Sequence, residues 1–242
     1  HFFASAFDLK SVDTLAALKV PAFKIASSET TNFPLLAHTA KQGRPMLIST
    51  GMCDLVDVIE AVKLCESVGN SQIALLQCGA RYPLPPEEVN LRAMDLFRDV
   101  FGCPVGFSDH TLGVASAIAS AARGACVIEK HFTLDRTSKG PDHFYALEPA
   151  ELKMMTAAIH EVSAALGSPV KEMLDEERRL GRRDGLYSAH AIKRGAKITE
   201  ADLNVKRPAV GLRARYKTAV LGATSKVDIP SGAPLQWNQI EF

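Results

Sequence analysis

The chain has 242 residues, 47% of them hydrophobic and 23% charged, with a formal net charge of +1. That balance belongs to a soluble globular chain long enough for a sizeable core or for two domains, and it excludes the global basic field that nucleic acid or an anionic membrane would call for. No apolar run approaches the roughly 20 residues of a membrane span, and no signal-peptide pattern is visible.

The charge is uneven. Residues 1–180 carry 17 Lys+Arg against 22 Asp+Glu, whereas residues 181–242 carry 11 against 5. Such a contrast suggests two modules. The five cysteines, Cys53, Cys65, Cys78, Cys103 and Cys126, all fall in the first. Their odd count, without a CxxC or a Cys/His zinc spacing, fits buried thiols in a reducing cytoplasm.

In chain order the first module alternates strand and helix. Strand-like runs cover Phe2–Phe7, Ala22–Ala26, Pro45–Thr50, Gln72–Cys78, Pro104–Phe107 and Ala125–Lys130. Helical periodicity covers Ser11–Leu18, Pro34–Lys41, Leu55–Val68, Pro86–Phe97, Gly113–Arg123 and Pro149–Leu166. About six βα units in strict alternation, with short strands buried on both faces, predict a parallel sheet of the TIM-type (β/α) barrel class over residues 1–166. Eight units would close such a barrel. The chain also opens without Met in the strand-like HFFASAF, so an N-terminal part of the barrel is expected to be missing. Residues 167–184 are polar and helix-prone and read as a linker. Residues 185–242 hold short strands punctuated by Gly, Pro and Asp, with similar turns at AIKRGAKIT and DIPSGAPLQ, and read as a small β-rich domain.

Polar residues gather at strand C-termini, where barrel enzymes build their sites. Lys24, Ser27, Ser28 and Glu29 follow one strand; Ser49, Thr50 and Gly51 end the next; Arg81 and Tyr82 follow another. His110 in CPVGFSDHTLG and His131 in ACVIEKHFTLD each end a strand, with one helix between them. Consecutive strands sit side by side, so the two imidazoles meet at one rim, where they suit a divalent metal and leave positions for water and substrate. Read alone, they are equally two unrelated polar residues near loop starts. Their company favours a site: Ser108, Asp109, Glu129 and Lys130 flank them, and Pro141-Asp142-His143 follows. Bland readings stand beside the others too. Lys24 is a partly exposed lysine, Glu129-Lys130 a surface ion pair of little consequence, and Ser49-Thr50-Gly51 a helix N-cap.

The stretches FKIASSE, ISTGM, CGARYPLPPEEVNL, GFSDHTLG, VIEKHFTLDR and GPDHFYALEP together resemble the sialic acid synthase family. YSAHAIKRGAKIT, VKRP and the terminal Gly-Ala-Pro-Leu turn resemble the antifreeze-like β-clip (SAF) domain that ends these enzymes. The resemblance implies condensation of phosphoenolpyruvate with N-acetylmannosamine or a related N-acylated aldose, giving a nonulosonic acid and phosphate. It implies a divalent metal, Mn²⁺ with Mg²⁺ or Co²⁺ as substitutes, on His110 and His131. By the same likeness Lys24, Ser27, Ser49, Ser108 and Ser5 hold phosphoenolpyruvate. Glu29, Tyr82 and Asp142 line the sugar pocket, and Glu29 or Glu129 handles protons. Arg207 in VKRP reaches a partner subunit's site in a domain-swapped homodimer.

Two departures matter. Ala80 stands where the family has Ser or Asn, so a phosphate-side hydrogen bond is lost or supplied by Arg81. The family's first two βα units have no counterpart here, and a chain lacking them is expected to be inactive. Two other readings stay open: a Schiff-base sialate aldolase with Lys24 as nucleophile, and a non-catalytic sugar-binding protein.

Overall fold

Five apolar runs form one parallel sheet in the computed structural model, which describes every residue except Arg182. The strands are β1 (Phe23–Ile25), β2 (Met46–Ser49), β3 (Ile73–Cys78), β4 (Val105–Asp109) and β5 (Ile128–Lys130), side by side in sequence order. Helices α1 (Leu9–Ala17), α2 (Phe33–Ala40), α3 (Leu55–Ser67), α4 (Ala93–Phe101), α5 (Ala115–Ala122) and α6 (Pro149–Leu166) alternate with them. A sequential order without a switch point is barrel topology rather than a doubly wound sheet.

Strand residues in register share a face, and faces alternate along a strand. Phe23, Ile25, Met46, Ile48, Ile73, Leu75, Val105 and Phe107 form the apolar face, in one buried cluster with Val12, Leu15, Leu35, Leu36, Val58, Ala61, Cys65, Met94 and Phe97 of the helices. The other face carries Lys24, Ser49, Cys78, Ser108 and Glu129. In a flat sheet, four strand spacings of about 4.8 Å would hold β1 and β5 some 19 Å apart. Instead Lys24 Nζ of β1 lies 3.3 Å from a Glu129 carboxylate oxygen of β5. The sheet therefore curls, with its polar face inward, as the wall of a TIM-type barrel.

Three expected elements differ. Phe2–Phe7 is not a strand but a single parallel bridge, Ser5 to Lys24, so five strands are formed where six were expected. Asp8 then caps α1 by accepting from Ser11 N at 2.8 Å, which ends the extended segment. The helix expected over Pro86–Phe97 is a 3-10 turn, Pro86–Glu88, followed by α4, because Asn90 adopts a left-handed φ of +52° that no helix continues through. At β2, Ser49 and Thr50 are not a helix cap; α3 is capped by Asp54.

The chain divides into two compact units, His1–Gly167 and Ser168–Phe242. The second holds α7 (Asp175–Leu180), the antiparallel pair β6 (Gly185–Ser188) and β7 (Leu203–Lys206), the short helix α8 (Lys217–Val220), and the pair β8 (Thr224–Ser225) and β9 (Ile240–Glu241). Leu186, Ile198, Leu203, Leu212, Val220, Leu235 and Ile240 form its core. The two similar turns pair with each other: Ile192 and Ile229 exchange backbone hydrogen bonds of 2.9 and 2.8 Å, and each is followed by a glycine at positive φ, Gly195 and Gly232. All five thiols are free, and burial pushes Cys53 and Cys65 up to about 11, which makes them poor nucleophiles at neutral pH. Among the described residues no helix is long and apolar enough to cross a membrane.

Gly106 shows how tightly the barrel wall is built. A Cβ placed there would sit 2.5 Å from both Leu76 Cδ2 and the Val127 carbonyl oxygen. Gly106→Ala should cost about 1–3 kcal/mol of overpacking. Helical circular dichroism reports chiefly the first unit, and Trp237, the one tryptophan, reports the second. The helical transition in urea should therefore move to lower concentration while the Trp237 transition stays in place.

Candidate active site

The site forms where the polar face of the sheet meets its C-terminal rim. Lys24 is buried, and its ammonium donates to Ser49 Oγ at 2.7 Å and to the Ile25 carbonyl at 2.9 Å, with Glu129 at 3.3 Å. This corrects the reading of Lys24 as a partly exposed lysine. Ser5, bridged to Lys24, lines with it and Glu129 a cleft of about 310 Å³. Ser27 follows β1, and its Oγ accepts from Gly51 N at 3.0 Å and donates to Cys78 Sγ at 3.6 Å. Ser108 is buried opposite Cys78 in register. Lys24 thus shares the inner face of the sheet with Ser49 and Ser108, and Ser27 stands at its rim beside Cys78, a donor-rich surface whose one ammonium is paired with Glu129.

The two histidines stand beside this surface, with ring centroids 5.3 Å apart and nearly edge-to-face. Their protons follow from their partners. His110 Nδ1 lies 2.7 Å from the Gly79 carbonyl, which only accepts, so Nδ1 carries the hydrogen. Tyr145 gives its one hydroxyl proton to Asp142 Oδ1 at 2.9 Å, so His131 Nδ1, 3.0 Å away, donates to the phenolic oxygen. Burial, then Asp142, pushes the Tyr145 phenol up, which keeps that proton in place. Both imidazoles are therefore held in the tautomer that presents an Nε2 lone pair. Burial and then the neighbouring His110 hold His131 below the ordinary histidine value, favouring its neutral form. His110 lies above that value: burial presses it down, but the Cys78 and Gly79 acceptors outweigh it. A protein-held Nδ1–H and a free Nε2 is the arrangement of metal-ligating histidine. Among the described residues no third His, Cys, Asp or Glu joins them in a metal-sized cluster. Two imidazole donors alone would leave a cation held there open positions for other ligands.

Tyr82 lies over His110 with ring centroids 4.1 Å apart and forms the exposed wall of the site. Asp142 Oδ2 is 3.5 Å from His131 Nδ1. Glu29 is not drawn into this cluster: its carboxylate accepts from Asn32 Nδ2 at 2.8 Å and Ser28 Oγ at 3.2 Å within its own turn. Arg81 pairs with Glu88 at 2.9 Å, so its guanidinium is engaged away from the position of Ala80. Arg207 belongs to the second unit, where its Nε donates to Asp184 at 2.8 Å and its side chain stays largely exposed.

Glu129 and Lys130 are not a surface ion pair. As neighbours on a strand they face opposite ways: Glu129 meets Lys24, and Lys130 is buried against Asp109 at 2.8 Å. Tyr145, Cys78 and the Gly79 carbonyl, which orient the histidines, were not singled out by sequence. The Asp142-x-x-Tyr145 spacing was the one available signal for the first of them. Removing the phenolic oxygen by Tyr145→Phe should release His131 to sample both tautomers and cost about 1–2 kcal/mol. ¹⁵N chemical shifts of histidine-labelled protein and a urea titration read the two effects.

The chain matches the NeuB family over residues 1–171 and the SAF domain over residues 183–241. It is 39% identical to the N,N'-diacetyllegionaminic acid synthase of Legionella pneumophila, over 100% of this chain and 69% of that protein. It is 40% identical to the human N-acetylneuraminate-9-phosphate synthase, over 85% of this chain and 58% of that protein. The crystal structure of the N-acetylneuraminic acid (sialic acid) synthetase of Leptospira borgpetersenii, a citrate complex, superimposes with a TM-score of 0.70 at 31% identity, over 74% of this chain and 62% of that one. With a curled parallel sheet in the first unit and a β-rich second unit, the chain belongs to the NeuB family with a C-terminal SAF domain.

Proposed function

We propose that this chain carries the catalytic site of a synthase that condenses phosphoenolpyruvate with N-acetylmannosamine or a related N-acylated aldose, releasing phosphate. The observation that carries this reading is that His110 and His131, with ring centroids 5.3 Å apart, each have Nδ1 held by the protein, which leaves both Nε2 atoms as acceptors. A divalent cation held there, Mn²⁺ with Mg²⁺ or Co²⁺ as substitutes, would act as a Lewis acid on the aldehyde of the open-chain sugar.

The protein's own groups do the rest. Lys24 Nζ, with the hydroxyls of Ser5, Ser27, Ser49 and Ser108, meets the carboxylate and phosphate of phosphoenolpyruvate and holds its methylene carbon toward the sugar. That carbon bonds to the aldehyde carbon, the aldehyde oxygen gains a proton, and water adds at the former enol carbon. The tetrahedral intermediate then expels phosphate, leaving a 2-oxo acid. Glu129, half exposed and paired with Lys24, is the carboxylate positioned to take the water's proton. Tyr82 and Asp142 line the sugar pocket, whereas Glu29 is tied within its own turn by Asn32 and Ser28. The Schiff-base alternative fits poorly, because an attacking amine must present a lone pair and all three donor directions of Lys24 have acceptors.

The active form is proposed to be a cytoplasmic homodimer in which each basic C-terminal unit covers the partner's rim, with Arg207 on the sugar N-acyl group. The opposed charges of the two halves support this, as does an Arg207 side chain left largely exposed. Light scattering should give a dimer; a monomer contradicts it.

Phosphate release by protein carrying this chain should require both an aldose and the cation. His110→Ala or Glu129→Gln should lower the rate at least about 100-fold. Sugar binding without phosphate release would favour a binding protein, and borohydride trapping of pyruvate on Lys24 would favour the aldolase.

A further inference from the structure

Directly behind the two histidines, on the face of the sheet turned away from the proposed reaction, lies an ion pair that this mechanism does not use. Asp109 and Lys130 are partners in register at the end of the β4–β5 ladder, and their side chains are 0% and 3% exposed. Each directly precedes a histidine in sequence, His110 and His131. Lys130 Nζ donates to Asp109 Oδ2 at 2.8 Å and to the Thr111 carbonyl at 2.5 Å. Asp109 Oδ1 in turn accepts from Thr111 N at 2.8 Å. One ammonium, attached to the residue before His131, thus grips the chain on both sides of His110.

We propose that Asp109 and Lys130 are positioning residues, a buried staple that sets the spacing at which His110 and His131 hold one divalent cation. The proposal rests on the metal reading of the preceding section.

Stability alone does not account for such a pair. Taking both charges out of water is costly, and well-packed apolar side chains of similar volume hold two strands at least as well. What apolar packing lacks is direction. Three short hydrogen bonds fix residues 109, 111 and 130 relative to one another, and the two imidazoles are carried on residues 110 and 131 between and beside them. On the site side the Nδ1 of each ring is held by the protein, by Gly79 with Cys78 at 3.8 Å for His110 and by Tyr145 with Asp142 at 3.5 Å for His131. Those clamps orient the rings but leave the separation of their backbones to the staple.

The test uses the whole chain and Mn²⁺ alone. Either single neutral variant strands a buried charge and is expected to unfold the unit, so the informative protein is the double variant Asp109→Leu/Lys130→Met. It should stay folded, with a urea midpoint somewhat below the parent's because the Thr111 N–H and carbonyl lose their partners, and calorimetric titration should show Mn²⁺ bound about 10–100-fold more weakly. In metal-free ¹⁵N-histidine spectra its His110 and His131 signals should broaden while the parent's stay sharp. Lys130→Arg, which keeps the charge but lengthens the reach, should also stay folded and bind Mn²⁺ more weakly. Parent-like Mn²⁺ affinity and sharp imidazole signals in folded variants would overturn the staple. If the parent binds Mn²⁺ and loses it on His110→Ala while the double variant keeps it, the staple alone fails. If the parent does not bind Mn²⁺ at all, the metal reading and the staple fall together.

Discussion

Strict alternation of side chains across five parallel strands held in register is the constraint on which the rest of this molecule depends. One face of the sheet supplies the apolar residues that pack under α1 to α4, and this burial is the main stabilising term of the first unit. The other face is thereby freed for polar groups. Because the sheet curls, Lys24 and Glu129 from its two outermost strands meet across the interior. A slip of one residue in any pairing would send a lysine, a serine or a glutamate into the helical layer and a phenylalanine or isoleucine into the site. The requirements of the core and of the chemistry are met by the same register.

Electrostatics divide along the same line. Inside the curl, the Lys24 ammonium is satisfied by a hydroxyl, a carbonyl and a half-exposed carboxylate that remains open to a ligand or to water. Outside it, the Lys130 ammonium is fully enclosed with Asp109 and the Thr111 backbone. The first arrangement can exchange partners, and the second cannot without leaving a buried charge uncompensated. Between them lie the two imidazoles, each with one nitrogen occupied by the protein and the other available. That separation between fixed support and exchangeable contacts is what a site needs if substrate is to enter without disturbing the scaffold.

Much of the barrel was legible from the sequence, because apolar runs of strand length alternating with helical periodicity carry the fold directly. Ser49, Ser108, His110 and His131 were placed at strand ends by that pattern, and the structure brings the two histidines together. Phe2–Phe7 misled, since aromatic alternation resembles a strand whether or not a neighbour is present to pair with it, and here Phe2, Phe3 and Phe7 are exposed. Asn90 was equally hidden, because nothing in the letters announces a left-handed residue inside an otherwise helical run. The partners of the histidines come from distant loops, Gly79 through a backbone carbonyl and Tyr145 through a turn, so only the Asp142-x-x-Tyr145 spacing pointed to either of them. Glu129 and Lys130 were readable in principle: neighbours on a strand face opposite ways, and only the assumption of an exposed strand end made them look like a surface pair.

The account stands or falls on the two Nε2 atoms sharing one ion. Crystals of this protein soaked in Mn²⁺, with data collected above and below the manganese absorption edge, test it directly. The account predicts one anomalous peak at about 2 Å from both His110 Nε2 and His131 Nε2, with the imidazole Nδ1 atoms still on Gly79 and Tyr145. A peak held by only one of the two rings, or manganese bound elsewhere in the first unit with this pair left bare, would contradict it.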